Sequence, residues 1–252
     1  MKVKKPIRAK LPLAAVKNVQ AAVQISLTEV CAMKSVRLWY KKDGLAVYTS
    51  HLDMNRCFTR AVRRAQIPLW YTEGFNPHPY MTFLMPLPLG QVGMREPVDI
   101  KIEGEMSFGE IKKRLNAAMP QGLEIVDVTK PECKPNAIDA AEYEIIAEFA
   151  TQAQAQSFAA DATALIAGGV LNAEKRSKKG IKTVNLCEMV RSFSAEAREN
   201  EVFIRTILAA GNTVNLNADL LFSSVLSHFG AETENTVIVR TKLLQQDLSI
   251  FE

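Results

Sequence analysis

No long apolar run occurs anywhere in these 252 residues. A membrane-spanning helix needs about 18 uninterrupted apolar residues, and the most apolar early stretch is broken by Lys17, Asn18 and Gln20. Cysteines are few and scattered: Cys31, Cys57, Cys133 and Cys187 lie 26, 76 and 54 residues apart. That spacing contains no Cys-x-x-Cys pair, and with only three histidines, His51, His78 and His228, it offers no zinc or iron–sulfur pattern. Reduced thiols, a cytoplasmic location and no metal site are therefore expected. Aromatics are sparse at 7%, but 48% hydrophobic and 23% charged is the balance of an ordinary globular chain. Disordered, collagen-like and disulfide-stapled classes are set aside.

An excess of one charge sign is also missing from most of the chain. The formal charge is +4, yet residues 1–32 carry six Lys/Arg against the single acid Glu29, leaving 25 basic and 26 acidic residues for 33–252. Any electrostatic function must rest on local patches. The 1–32 extension is acid-poor and lacks the compact apolar core of a secretory signal, and the pattern of a folded domain begins only after it. It is expected to lie outside the native fold.

Periodicity and turn signals give a coarse map of the rest. Ser35–Tyr40 and Leu45–Tyr48 read as short strands around an Asp43-Gly44 hairpin turn. Ser50, with Asp53 three residues on, starts a helix that runs to about Gln66, where Pro68 stops it. Strands follow at 67–72, 80–85 and 98–102, then a helix from Ser107 to about Met119 and a strand at 123–128. This β-α-β-β-α-β order predicts a ferredoxin-like split β-α-β domain over 33–130 within an α+β chain. Residues 131–140, with Pro131, Cys133, Lys134 and Pro135, have the composition of a linker. Residues 141–252 again alternate strands with two helices, near 152–167 and 217–228, which predicts a second small α+β domain.

At about 100° per residue, Asp53, Arg56, Arg60, Arg63 and Arg64 fall on one face of the first helix, and Met54, Cys57, Phe58, Ala61, Val62 and Ala65 on the other. Such a face can be simply solvated, with Asp53 pairing an arginine. All four bases are arginine, however, and the planar guanidinium fork suits phosphate or carboxylate recognition. Arg56, Arg60, Arg63 and Arg64 are thus candidates for binding nucleic acid or a partner's acids.

The segment Thr72–Pro79 follows, and its Glu73, Gly74, Phe75, Asn76, Pro77, His78 and Pro79 form a candidate ligand loop. Pro77 and Pro79 restrict the backbone on both sides of His78, so the imidazole is held by a stiff loop. A rigid crossover whose histidine merely bonds a carbonyl would look the same. His51 and His78, with Asp53, are candidate acid–base groups. A second basic patch, Lys175, Arg176, Lys178, Lys179 and Lys182, falls on a strand-to-strand turn, as an exposed tip or as a finger on phosphates. Trp70 and Tyr71 are adjacent in a strand, so only one of the pair is expected to be free to stack on a base.

The run Tyr48-Thr49-Ser50-His51-Leu52-Asp53-Met54-Asn55-Arg56, with Arg60-Ala61-Val62-Arg63-Arg64-Ala65, Ile67-Pro68-Leu69 and Glu73–Pro79 through Pro86-Leu87-Pro88-Leu89-Gly90, resembles the radical SAM-associated proteins. These carry a domain of unknown function found beside or fused behind a bacterial radical SAM protein, often near a ribonuclease of the E/G type or translation genes. The likeness is dense over about 35–102. The family's Lys-Lys-Gly segment corresponds to Lys178-Lys179-Gly180, while Asn185, Cys187 and Glu188 depart from its usual pattern. The resemblance implies a radical SAM protein as partner. The chain lacks the Cys-x3-Cys-x2-Cys of a radical-generating cluster, so SAM and the iron–sulfur cluster are expected on that partner.

The leading expectation is a non-catalytic accessory subunit of a radical SAM protein that binds RNA or presents a substrate in RNA modification or processing. Two alternatives stand beside it: a stand-alone RNA-processing or RNA-modifying enzyme using His51 and His78 with Asp53 or Glu73, and a purely structural protein adaptor.

Overall fold

A computed structural model describes residues 33–177, 180–211 and 213–252. The first half runs β1 (Met33–Lys42), α1 (His51–Arg64), β2 (Met81–Phe83), β3 (Val92–Glu103), α2 (Phe108–Ala118) and β4 (Leu123–Thr129). Its strands lie in the order β4-β1-β3-β2, every neighbour antiparallel, which is the ferredoxin-like arrangement. The second half runs β5 (Ala140–Glu148), α3 (Gln152–Ala167), β6 (Asn172–Ser177), β7 (Gly180–Asn185), β8 (Val190–Arg198), β9 (Glu201–Ala209), α4 (Ala218–Phe229) and β10 (Asn235–Leu244). Strands β6 and β7 form a separate hairpin. With that hairpin set aside, the half repeats β-α-β-β-α-β in the spatial order β10-β5-β9-β8, again antiparallel throughout. The chain is α+β, with one topology used twice.

The halves share a sheet. β10 pairs in parallel with β3 through Val92↔Val239 and Gly93↔Arg240, on the same edge of β3 that β2 occupies further along. Each half nevertheless has its own apolar core, although the buried Trp39 of β1 joins that of the second half. Phe58 and Val62 of α1 and Ile111 and Leu115 of α2 bury against Val36, Leu38, Val98, Ile100 and Ile125 in the first. Phe158 and Ala162 of α3 and Leu221 and Val225 of α4 bury against Tyr143, Ile145, Val202 and Ile204 in the second. The expected linker, 131–140, contains a 3-10 turn at Pro135–Ala137, and its last residue, Ala140, already begins β5. Asp139 is bonded there to the end of β10, its N–H donating to the Leu244 carbonyl at 2.9 Å.

Strand alternation decides which side chains meet the helices. Arg37 and Trp39 of β1 point away from α1 and α2, and both are buried on that far side. There Arg37 donates to both Asp99 carboxylate oxygens, at 2.8 and 3.0 Å, and to the carbonyls of Cys133 and Glu252. Trp39 packs edge-on against Phe251 at 6.1 Å.

Three expected elements differ from the structure. Leu45–Tyr48 is not a strand but part of a 3-10 turn, Gly44–Tyr48. Both sides of β1 are already taken, by β3 and β4, so a hairpin partner has no place to pair. The adjacent Ala46 and Val47 are buried while Leu45 and Tyr48 are exposed, a pattern without strand alternation. Residues 67–72 make only the single bridges Leu69↔Ile102 and Tyr71↔Pro79. Strand β3 starts six residues earlier than Val98, at Val92, and runs straight through Pro97.

Candidate nucleic-acid interface

The arginine helix is built as its sequence dictates. Ser50 caps it, its hydroxyl accepting from the Asp53 N–H at 3.2 Å and donating to the Asp53 carboxylate at 2.7 Å. Met54, Phe58, Ala61 and Val62 are buried, which turns the opposite stripe to solvent. The helix ends where Gln66 takes a left-handed φ of 53°.

All four guanidiniums are on the exposed side, but their surroundings differ. Arg56 lies 3.2 Å from the Asp53 carboxylate. Hydrogen bonds from Ser50 and then from Arg56 hold the Asp53 carboxyl below its ordinary range. Arg63 donates to the Tyr71 hydroxyl at 3.2 Å, and Arg64 to the Ala118 carbonyl at the end of α2 at 2.6 Å. Arg60 has no hydrogen-bond or ion-pair partner among the described residues. One carboxylate thus serves four cations, and each like-charge pair at helical spacing costs about 0.2–0.5 kcal/mol. The face is electrostatically incomplete.

The Thr72–Pro79 loop stands beside it, tied to α1 through the Arg63–Tyr71 contact. Thr72 closes the loop twice: its N–H donates to the His78 carbonyl at 2.9 Å, and its hydroxyl accepts from the His78 N–H at 3.2 Å. The His78 ring is exposed, with Nδ1 3.0 Å from Thr72 Oγ1 and 3.2 Å from the Asn76 carbonyl. Neither contact uses Nε2. Gly74 adopts a φ of 129°, which a side chain would resist, and Phe75 at the tip is fully exposed. Glu73, Asn76 and Pro77 are exposed and Pro79 is half-buried.

The candidate acid–base groups are not brought together. His51 is packed edge-on against Phe83, ring centres 5.3 Å apart, and its Nε2 lies 3.2 Å from the Asn55 amide. Asp53 is engaged by Ser50 and Arg56. Neither residue is bonded to His78.

Trp70 and Tyr71 do divide between the two sides of the sheet. Leu69, bridged to Ile102, faces the first core, Trp70 faces away from the helices, and Tyr71 returns to the helix side under Arg63. In the second half, β6 and β7 carry the backbone of Lys175, Arg176 and Lys182, with Lys175 opposite Lys182. Lys178 and Lys179 lie outside the described residues, as do the side chains of the other three.

One cluster escaped the sequence reading. At the seam, Glu96 accepts from Arg240 Nε at 2.9 Å and also from Arg240 NH2, which bonds the Met85 carbonyl as well. Lys42, also buried, donates to the Thr49 carbonyl at 3.0 Å, and burial pushes its ammonium below the ordinary value. Burial likewise pushes the Tyr40 phenol up, with the Glu96 charge adding to it. Among the described residues no group of three or more His, Cys, Asp or Glu is set to hold a metal, and no helix is long and apolar enough to cross a membrane.

The profile of a family described as an uncharacterized protein conserved in bacteria (DUF2344) matches residues 35–218. The chain belongs to that family. The matched span covers the arginine helix, the Thr72–Pro79 loop and the basic hairpin, and it reaches the first residue of α4. No curated protein matches the chain. Among solved structures, an unknown protein from Galdieria sulphuraria is similar at 13% identity over 82% of this chain and 96% of that one. The TM-score is 0.24, too low to assign the two a common arrangement.

Proposed function

We propose that this protein is an accessory subunit of a radical SAM protein and that the arginine face of α1 holds RNA for that partner to act on. The observation that carries the RNA half is Arg60: an exposed guanidinium with no hydrogen-bond or ion-pair partner among the described residues, in the middle of a face that sets four arginines beside the single carboxylate of Asp53. Phosphates supply the missing charge, and guanidinium forks receive them in bidentate fashion. The neighbouring loop presents Phe75 and the His78 imidazole to whatever the arginines hold. The partner half rests on the sequence resemblance of the Tyr48–Gly90 region, and the radical chemistry belongs to the partner.

The test is RNA retention by the full chain across a salt series. Wild type binds with a log–log salt slope that shrinks by about one for each phosphate contact removed. Arg60→Glu weakens binding, and Arg60→Glu with Arg63→Glu abolishes it, while circular dichroism stays unchanged. RNA binding that is absent, or indifferent to both variants, overturns the RNA half. Co-purification of the radical SAM protein from native extract after nuclease treatment tests the partner half. A partner retained with no nucleic acid in the untreated complex identifies an adaptor instead.

A further inference from the structure

The arginine helix lies on one side of the first half-sheet, and a second feature lies on the other. Leu69, Met81, Ile100 and Ile102 face the core beneath α1 and α2. Trp70, Tyr80 and Lys101, one position away from each of these along extended backbone, therefore face the side without helices. The backbone fixes them as neighbours: the Trp70 N–H donates to the Lys101 carbonyl at 2.9 Å, and the Tyr80 N–H to the Trp70 carbonyl at 3.0 Å. The two rings are 6.0 Å apart, and the Lys101 ammonium stands 5.1 Å from the Trp70 ring and 4.5 Å from the Tyr80 ring. Both aromatics are half-exposed, and exposed Ser35 lies opposite Lys101 on β1.

Resting on the RNA reading above, we infer that Trp70, Tyr80 and Lys101 form a stacking platform for unpaired bases, so that the RNA held is single-stranded. Two rings tied by backbone hydrogen bonds to the margin of β3 offer π-faces that unpaired bases can use and paired bases cannot. Among the described residues the ammonium above them has no ion-pair partner, only its weak attraction to the rings, and it moves to a phosphate when a base arrives. The centre of this side of the sheet is closed over Arg37 and Trp39 by Phe251 and the carbonyls of Cys133 and Glu252. The platform at the β3 margin is where that cover ends.

The chain carries its own reporter. Of its two tryptophans, Trp39 is 1% exposed and Trp70 is the accessible one. Oligouridine titrated into the full chain is expected to quench tryptophan emission saturably, and a duplex of the same length is expected to leave it unchanged. Trp70→Ala lowers oligouridine affinity about tenfold, Trp70→Phe retains most of it, and Lys101→Gln reduces the salt slope by about one. If oligouridine binds, loses affinity in Arg60→Glu, and yet neither quenches wild type nor distinguishes Trp70→Ala, the platform is wrong while the arginine reading stands. If wild type binds no RNA of either kind, both fall. The quenching measurement needs no variant, so a misfolded Trp70→Ala protein does not shield the idea.

Discussion

Glu96 and Arg240 meet across the seam of the sheet as a buried ion pair, both side chains 2% exposed. They come from the two halves and are flanked by a second buried cation, Lys42. Removing one partner of such a pair leaves an uncompensated charge in the interior, at about 3–5 kcal/mol. Glu96→Gln is the harsher test, because it strands two cations at once. Its urea midpoint should fall well below that of wild type, whereas Glu96→Leu with Arg240→Met should recover much of the loss.

Gly93 is the residue through which β3 pairs with Arg240, and it has no room for a side chain. A Cβ there would sit 2.6 Å from Glu96 Cγ and 2.8 Å from its Oε1. The Glu96 side chain cannot swing aside without leaving Arg240. Gly93→Ala is therefore expected to cost about 1–3 kcal/mol. A double-mutant cycle with Glu96→Ala should be strongly non-additive, since the smaller residue makes room for the methyl. Chemical denaturation of the four proteins measures it.

Arg60 and Arg64 lie one helical turn apart on the same face, yet their removal should differ. Arg60 is bonded to nothing described, and taking it away relieves repulsion, so Arg60→Ala should leave stability within about 0.5 kcal/mol of wild type. Arg64 donates to the Ala118 carbonyl at the open end of α2, where a cation also suits the helix dipole. Arg64→Ala should cost about 1 kcal/mol, read as a lowered thermal midpoint.

The Ser50 hydroxyl is the first cause of the depressed Asp53 pKa, ahead of Arg56. A carboxyl whose pKa is lowered by folding supports the fold above its unfolded value and ceases to do so as pH falls through the folded value. Ser50→Ala should move the Asp53 carboxyl signal, followed by carbon NMR, up toward its ordinary pKa of 3.8. The same change should shrink the loss of α1 stability on acidification below that pH. Arg56→Ala should give a smaller movement in the same direction.

What could be read in advance follows from distance along the chain. Ser50, the apolar stripe of α1 and the polar loop after Tyr71 are local patterns, and their chemistry is complete within a few residues. The first β-α-β-β-α-β unit was legible for the same reason. The start of β3 was not, because Gly93 and Pro97 read as breakers until one sees that Pro97 needs no donor where it lies beside Trp39. The doubled topology was masked by the β6–β7 hairpin, which interrupts the second copy of the pattern. The Glu96–Arg240 pair spans 144 residues and consists of two charges that any local reading assigns to the surface. Arg64 gave a true signal of exposure but none of its hold on α2.

The parallel seam also has a consequence for biosynthesis. On the ribosome, Glu96 is made 144 residues before the arginine that neutralises it, an interval of roughly 7–30 s at ordinary elongation rates. Through that time the β3 margin at Val92–Gly93 lacks its β10 partner and the Glu96 carboxylate lacks its counter-ion. That margin stays unpaired until β10 is made, which gives a nascent-chain chaperone a defined edge to protect.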